Sequence, residues 1–384
     1  MAKKKETSRK KEREREKKAR RVFTVIVVIL LIIAVVGTYI LWKKGYIELD
    51  FADGHDHNEP QQSIVTDELS IHFPMLGNKY SGDCTLIKVG NTEILIDAGS
   101  RKNSAETLIS YINTYCTDGV LEYVIATHAD QDHIAAFVGL ASGVGIFEAF
   151  KCGTIIDFPR TNSTSGTYED YVALRDAEVE AGATHYTALE CWNNENGAKR
   201  SYELADGITM NFLYQKFYEQ KASDENNYSV CMLLTQGTNN YLFTGDLEAE
   251  GEASLVEEHE LPKCKLFKAG HHGSPTSSGA ALLAEIQPEI VCVCCCCGND
   301  TEYNFGSNDV VFPSQAVINR IAVYTERIYI PTLVAKDTDD GFVPMNGNII
   351  VSSDGGEVKV TCSNNDTLLK DTDWFKANRT WPTA

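Results

Sequence analysis

The sequence predicts an α/β fold of two sheet halves covered by helices, preceded by one membrane-spanning helix. Three observations predict it. Short apolar runs with strand character come first, then alternate with helical patterns, and the second half repeats that succession. At 384 residues, 43% apolar and 23% charged, the chain has a globular composition and room for a sizeable core. Val22 to Trp42 is a run of 21 residues without a charge. At ~1.5 Å per helical residue it is long enough to cross a bilayer.

The N-terminus is read first. Residues 1–21 hold twelve Lys/Arg and four Asp/Glu, a net of +8. A cleaved signal peptide would have a shorter apolar region, about 7–15 residues, ending in a small-x-small site. Here the run is longer and leads into Leu41-Trp42-Lys43-Lys44, with Trp42 as an interface anchor. An uncleaved anchor is the better reading. The basic excess before it places the N-terminus in the cytoplasm and the rest outside the cell. The expected segments are a basic tail (1–21), an anchor (22–42), a linker (43–66), a globular domain (67–365) and a C-terminal tail (366–384). His55-Asp56-His57 in the linker has metal-competent side chains but no rigid frame, so it reads as polar spacer.

Residues 45–384 carry 21 Lys/Arg and 50 Asp/Glu, a net of −29. Nonspecific nucleic-acid binding relies on an excess of basic residues. The soluble part has none overall, although a local basic strip remains compatible with these numbers.

Strand-like runs occur at 69–73, 84–89 and 93–97, separated by the turn signals Ser81-Gly82-Asp83 and Gly90-Asn91. A helical pattern covers 104–115, a strand 121–126, a helix 133–141 and a surface helix 168–181. Strands follow at 207–214, 228–235 and 240–244, helices at 247–258, 277–285 and 314–323, and strands at 348–352 and 356–361. Asn299 to Asp309 and Asp337 to Gly347 are turn-rich and read as loops near a site. Of the twelve cysteines, Cys292, Cys294, Cys295, Cys296 and Cys297 lie in one apolar stretch. Neighbouring strand residues point to opposite faces and cannot share one metal. These cysteines therefore read as small apolar residues of a buried strand, ahead of redox or metal roles. Free thiols on an exported domain suggest a poorly oxidising habitat.

The chemistry concentrates at strand ends. Tyr123-Val124-Ile125-Ala126 leads into Thr127-His128-Ala129-Asp130-Gln131-Asp132-His133, four metal-competent groups at a strand-to-helix corner. Carboxylates packed this closely repel unless a cation joins them. Tyr241-Leu242-Phe243-Thr244-Gly245-Asp246 ends in a strand-tip carboxylate. Leu266-Phe267-Lys268-Ala269-Gly270-His271-His272-Gly273-Ser274 ends in two histidines. Ile94-Leu95-Ile96-Asp97-Ala98-Gly99 adds a fourth tip. Each alone is as well read as a turn or a surface loop, and Asp97 as a turn cap or an orienter of a ligand. Together they form an ordered His/Asp set.

That order resembles the metallo-β-lactamase fold superfamily and, more narrowly, the hydrolase domain of ComEC-type competence proteins. Gly82-Asp83 before Leu86-Ile87, Asn226-Asn227-Tyr228-Ser229, the Lys268–Ser274 stretch and Phe312-Pro313-Ser314-Gln315 carry the narrower likeness. It covers roughly residues 68–362. The resemblance implies a four-layer αβ/βα sandwich with a site for two divalent metal ions, Zn²⁺ or Mn²⁺. It implies His128, Asp130, Asp132, His133, Asp246 and His271 as ligands, with His272 as a ligand or proton donor. Asp132 and His272 would be catalytic, and a hydroxide bridging the metals would be the nucleophile. Asn227, Ser229 and Lys268 would contact substrate, and Asp97 would support the site.

There are departures from the pattern. Asp130 stands where the superfamily's commonest motif has His. Between His133 and Asp246 the sequence offers only His185, in the strand-like Thr184-His185-Tyr186-Thr187. One metal seat is therefore short of ligands. Phe312-Pro313 replaces the usual His-Pro, and the multi-helix membrane channel of those proteins has no counterpart among these residues.

The expected function is that of a membrane-anchored extracellular phosphodiesterase or nuclease, related to competence DNA processing, with DNA or a small phosphodiester as substrate. The first alternative is a metallo-hydrolase of a small ester, lactam or cell-envelope molecule. The second is a non-catalytic binding module on the same fold.

Overall fold

The computed structural model describes residues 68–299 and 311–383. The expected anchor at 22–42 and the His55-Asp56-His57 segment lie outside the described residues, and no described helix is long and apolar enough to cross a membrane.

In chain order the first strands are β1 (Leu69–Phe73), β2 (Thr85–Val89), β3 (Thr92–Ile96), β4 (Val120–Ile125), β5 (Lys151–Asp157) and β6 (Thr184–Thr187). Next come β7 (Ser201–Ala205), β8 (Ile208–Leu213), β9 (Cys231–Gln236), β10 (Asn239–Phe243), β11 (Leu266–Lys268) and β12 (Ile290–Cys292). The last are β13 (Cys296–Cys297), β14 (Ile328–Tyr329), β15 (Thr332–Val334), β16 (Phe342–Pro344), β17 (Ile349–Ser353) and β18 (Lys359–Cys362). The α-helices are α1 (Ser104–Ile112), α2 (Gln131–Val138), α3 (Ile146–Ala149), α4 (Gly166–Glu180), α5 (Ala188–Asn193), α6 (Ala249–Glu258), α7 (Ala280–Ile286), α8 (Gln315–Ile321) and α9 (Asp373–Asn378).

Among the described residues, one sheet runs β18-β17-β1-β2-β3-β4-β5-β6 and the other β14-β12-β11-β10-β9-β8-β7. A small third sheet holds β13, β15 and β16. The strands β3 to β6 are parallel, as are β10, β11, β12 and β14. Parallel neighbours need crossovers, and helices supply them: α1 between β3 and β4, α6 between β10 and β11, α7 between β11 and β12.

The layers follow from strand periodicity. Tyr241 and Phe243 of β10 join the core between the two sheets, while Leu242 between them joins the core under the outer helices. Across the gap, Tyr123 of β4 meets Tyr202 of β7 edge-on with ring centroids 5.4 Å apart. On one outer side Phe137 of α2 packs on Phe147 of α3 and Tyr171 of α4. On the other, Phe267 and Val291 share a core with Leu255, Leu282, Leu283, Val317 and Ile318 from α6, α7 and α8. Burying a side chain such as Phe267 contributes about 2–3 kcal/mol. The architecture is the expected mixed α/β sandwich of helix, sheet, sheet and helix.

The cysteine stretch, expected as one buried strand, is split between β12 and β13, which lie in different sheets, yet its side chains still alternate between two cores. Cys292 and Cys294 enter the inter-sheet core, and Cys295 and Cys297 the outer one. None of the cysteines is in a disulfide among the described residues, and Cys362 is the one that is only half-buried. Residues 366–383, expected to belong to a tail, hold the helix α9 and contribute to the outer core. Leu369 and Phe375 are buried in the outer core, with Trp374 and Trp381 packed against it. Aromatic residues in this stretch find more favourable burial than solvent.

Candidate metal centre

The centre forms where the parallel strands end, outside their carboxyl termini, the usual ligand position in open α/β sheets. Asp97 follows β3, Thr127 to His133 follow β4, Asp246 follows β10, and Gly270 to Gly273 follow β11. Asp83 precedes β2, which is antiparallel to β3, and so reaches the same edge. Backbone hydrogen bonds tie the segments together: Asp83 N–H to the Asp132 carbonyl (3.0 Å), Ala98 N–H to the His133 carbonyl (2.7 Å) and Gly99 N–H to the Asp83 carbonyl (2.9 Å). Gly99 is obligatory in this knot, because a Cβ there would lie 1.5 Å from the Asp132 carbonyl oxygen.

Three buried histidines share one arrangement. Each has its Nδ1 engaged and its Nε2 without a hydrogen-bond partner. His133 Nδ1 lies 2.7 Å from Asp97 Oδ2, and Asp97 is itself fixed by the Thr127 N–H (2.7 Å) and hydroxyl (2.8 Å). His272 Nδ1 lies 2.9 Å from the Cys294 carbonyl oxygen. His128 Nδ1 lies 3.1 Å from Thr127 Oγ1. In front, His133 Nε2 and His272 Nε2 each stand 3.1 Å from Asp246 Oδ2, and His272 Nε2 is 3.4 Å from Asp132 Oδ2. Asp246 Oδ1 is also buried without a hydrogen-bond partner.

Leaving a buried polar atom unpaired costs about 1–3 kcal/mol. Several such atoms converging on one point are explained by a cation that accepts all their lone pairs. Nδ1 held from behind with Nε2 left bare is also how metal-binding histidines are oriented. Mixed imidazole and carboxylate donors suit a divalent metal such as Zn²⁺ or Mn²⁺. The residues present fit a metal.

Electrostatics agree. Burial opposes charge on His133 and His272, yet Asp246 outweighs it with Asp97 and Asp83 at His133 and with Asp83 at His272, so both pKa values rise well above that of ordinary imidazole. Burial likewise opposes ionisation of Asp132 and Asp246, and the neighbouring histidines pull both carboxyls below their usual range. A field that favours protons on these rings favours any cation between them.

The structure sorts the expected residues. Asp132, His133, Asp246 and His272 converge in one seat. His128 and Asp130 lie beside it, with His128 Nε2 3.5 Å from Asp130 Oδ2 and the His128 and His133 rings 4.1 Å apart. Asp130 takes the N-cap position of α2, but its side chain makes no capping bond and is 44% exposed. Asp97 sits behind His133.

Four of the expected residues lie outside the seat. Of the two adjacent histidines, His272 enters the seat. His271 turns its Nδ1 to Thr276 Oγ1 (3.1 Å) and Glu248 Oε1 (3.7 Å), and burial lowers its pKa. Both residues have left-handed backbones (φ 47° and 53°), which aim the two rings apart. The residues expected to contact substrate are buried and support the strand tips. Ser229 Oγ accepts the Asp246 N–H (3.0 Å), and Asn227 Oδ1 accepts the Glu248 N–H (3.3 Å). Lys268 Nζ is ion-paired with Asp83 and donates to the Gly245 carbonyl (3.0 Å). Lys268 ends β11, and Asn227 and Ser229 lie in the turn that leads into β9; all three are buried against the strand tips that they hydrogen-bond.

His185 lies elsewhere, its Nε2 2.9 Å from Asp157, which also holds Arg175. Phe312 supplies an aromatic wall 6.0 Å from His271 and 6.2 Å from His272.

Asp83 was not anticipated as part of the site. Its ligand-type atoms lie within 4.8 Å of those of His133, Asp246 and His272. One sequence signal pointed to it: a lysine inside the apolar Leu266-Phe267-Lys268-Ala269 demands a buried carboxylate.

Residues 77–146 match the metallo-beta-lactamase superfamily. Over that stretch the chain is similar to the superfamily. Its relatives include competence protein ComA of Neisseria gonorrhoeae, 26% identical over 248 residues, covering 63% of this chain and 28% of ComA. ComE operon protein 3 of Bacillus subtilis is 27% identical over 176 residues, covering 45% of this chain and 20% of the relative. Recombination protein 2 of Haemophilus influenzae is 29% identical over 214 residues, covering 55% and 23%. The chain spans less than a third of the length of these relatives. The solved metallo-beta-lactamase fold protein YhfI from Bacillus subtilis aligns with 75% of this chain and all of its own, at a TM-score of 0.42 and 11% identity.

Proposed function

We propose that this chain is a metal-dependent phosphodiesterase acting on DNA. Residues 22–42 would anchor it in the cell membrane, with the globular domain outside. The observation that carries the hydrolase reading is the set of three buried histidines with engaged Nδ1 and bare Nε2 atoms around Asp246. Asp132, His133, Asp246 and His272 would hold one divalent ion. His128 and Asp130, with Asp246, would hold a second at a seat with fewer protein ligands. Bound metals would supply Lewis acidity and a water acidified to near ~7. The chain's own part is to hold the imidazole tautomers, brace Asp246 through Ser229, and wall the site with Phe312. Similarity to competence proteins supports DNA as substrate.

The net charge of −29 on residues 45–384 favours a second reading, a small ester, lactam or envelope substrate that needs no basic track. One panel separates them. The full chain, assayed for bound metal, is offered single-stranded DNA, a bis-phosphodiester reporter, a β-lactam and a thioester. Cleavage of the first two supports the proposal. Cleavage of the last two alone replaces it with the second reading, and inertness toward all four in metal-loaded protein favours a binding module.

A further inference from the structure

The two best-placed seat histidines are held from behind differently. His133 has Asp97, a carboxylate bound to Thr127. His272 has the Cys294 carbonyl at 2.9 Å and Asp83 Oδ1 at 3.2 Å from its Nδ1. Asp83 is buried, and its Oδ1 has no hydrogen-bond partner, so it faces Nδ1 as a charge rather than as a hydrogen-bond acceptor. Its second oxygen is ion-paired with Lys268, also buried, whose Nζ donates to the Gly245 carbonyl and lies 3.5 Å from Asp246 Oδ1.

Asp83 stands on the Nδ1 side of His272, while Nε2 faces Asp246 and Asp132. A metal on Nε2 is therefore on the far side of the ring from Asp83. An isolated carboxylate this deep would be expelled or protonated. Lys268 removes that penalty and keeps the carboxylate charged beside the imidazole.

We infer that Asp83 and Lys268 form a buried ion pair that positions His272 as a metal ligand, with Asp83 doing for His272 what Asp97 does for His133. Both are positioning residues, and the inference rests on the metal-centre reading above. Lys268 has a second role in the same place: its ammonium fixes the rotation of Asp246 by facing Oδ1, which leaves Oδ2 toward the two Nε2 atoms.

The test is a Co²⁺ titration of the chelator-stripped full chain, read by the visible ligand-field bands and by affinity. The variant D83N/K268M removes both charges together, so no buried charge is stranded. It is expected to fold, to bind Co²⁺ roughly 10- to 100-fold more weakly, and to shift the bands. Unchanged affinity and bands would mean that the Cys294 carbonyl suffices, which overturns the inference. Asp83→Glu keeps a partner for Lys268 and covers the case in which the neutral pair fails to fold. Its displaced carboxylate should shift the bands, and an unchanged spectrum again overturns the inference. A parent chain that takes up no Co²⁺ is a different result, which overturns the metal-centre reading itself.

Discussion

The two ends of the centre are unequally furnished. At one end Asp132, His133 and His272 close on Asp246, with carboxylates behind both rings. At the other, His128 and Asp130 face each other across 3.5 Å, Thr127 and Ser229 hydroxyls stand behind the ring, and Asp130 opens to solvent. The difference lies in the quality of the support. A charged partner behind an imidazole raises its basicity and fixes its tautomer more firmly than a hydroxyl does. On the proposed reading the first end would be the tight seat and the second the exchangeable one.

The largest effect should come from breaking the tight seat. Asp132→Ala is expected to abolish hydrolysis and weaken metal binding by more than about 100-fold. Metal analysis with the hydrolysis panel checks this, and full activity with full metal content would refute the assignment. Next, His272→Ala should cost far more metal affinity than His271→Ala, by roughly tenfold or more. Equal losses measured by calorimetry would erase the distinction drawn between the two rings. At the sparse end, His128→Ala should remove the weaker equivalent of metal and leave the tighter one in place, whereas Asp130→His should tighten the weaker one. Metal-to-protein ratios after dialysis read both.

The smallest effect concerns the support of the His271-His272 loop. Glu252 of α6 is buried and accepts the N–H groups of Ser278 (2.6 Å) and Gly279 (2.7 Å) just beyond that loop. Burial raises its pKa to about 7, against the two N–H groups and Arg320. Between its ordinary value of 4.5 and about 7 the folded chain keeps a proton that the unfolded chain has lost. Its contribution to stability is therefore full at low pH and declines as pH rises through that window, by up to about 3 kcal/mol. Glu252→Gln should flatten this part of the stability profile relative to the parent. Parallel slopes in urea titrations from pH 5 to 7.5 would show that Glu252 titrates normally.

The fold was legible in the sequence where burial is two-sided and the run is apolar. The β1, β2, β3, β8, β9, β10 and β17 strands all coincide with such runs. The strands β5 and β7 were missed because Lys151-Cys152-Gly153 and Ser201-Tyr202-Glu203 mix polar and small residues at positions set by tertiary pairing. Of the site, the tips of β3, β4, β10 and β11 were readable, because His and Asp at the end of an apolar strand have little structural purpose. Which residue of a local pair faces inward was not, since His271 and His272 are chemically identical and the left-handed turn that orients them is set by the surrounding fold. Nor did it tell a brace from a substrate contact: Lys268, Ser229 and Asn227 were noticed as polar, and their burial came from packing.

The cysteines have a practical consequence. Burial pushes the Cys84, Cys292 and Cys297 thiols well above their ordinary pKa of 9.0, so in the closed chain they are neither exposed nor ionised. They are spread through both packed layers, from Cys84 beside Asp83 to Cys297 under the aromatic residues of α9. A pulse of thiol-alkylating reagent, followed by peptide mass mapping, would time the opening of each layer separately. The chain thus carries its own set of labels for asking whether the metal centre and the distant outer core come apart together or in turn.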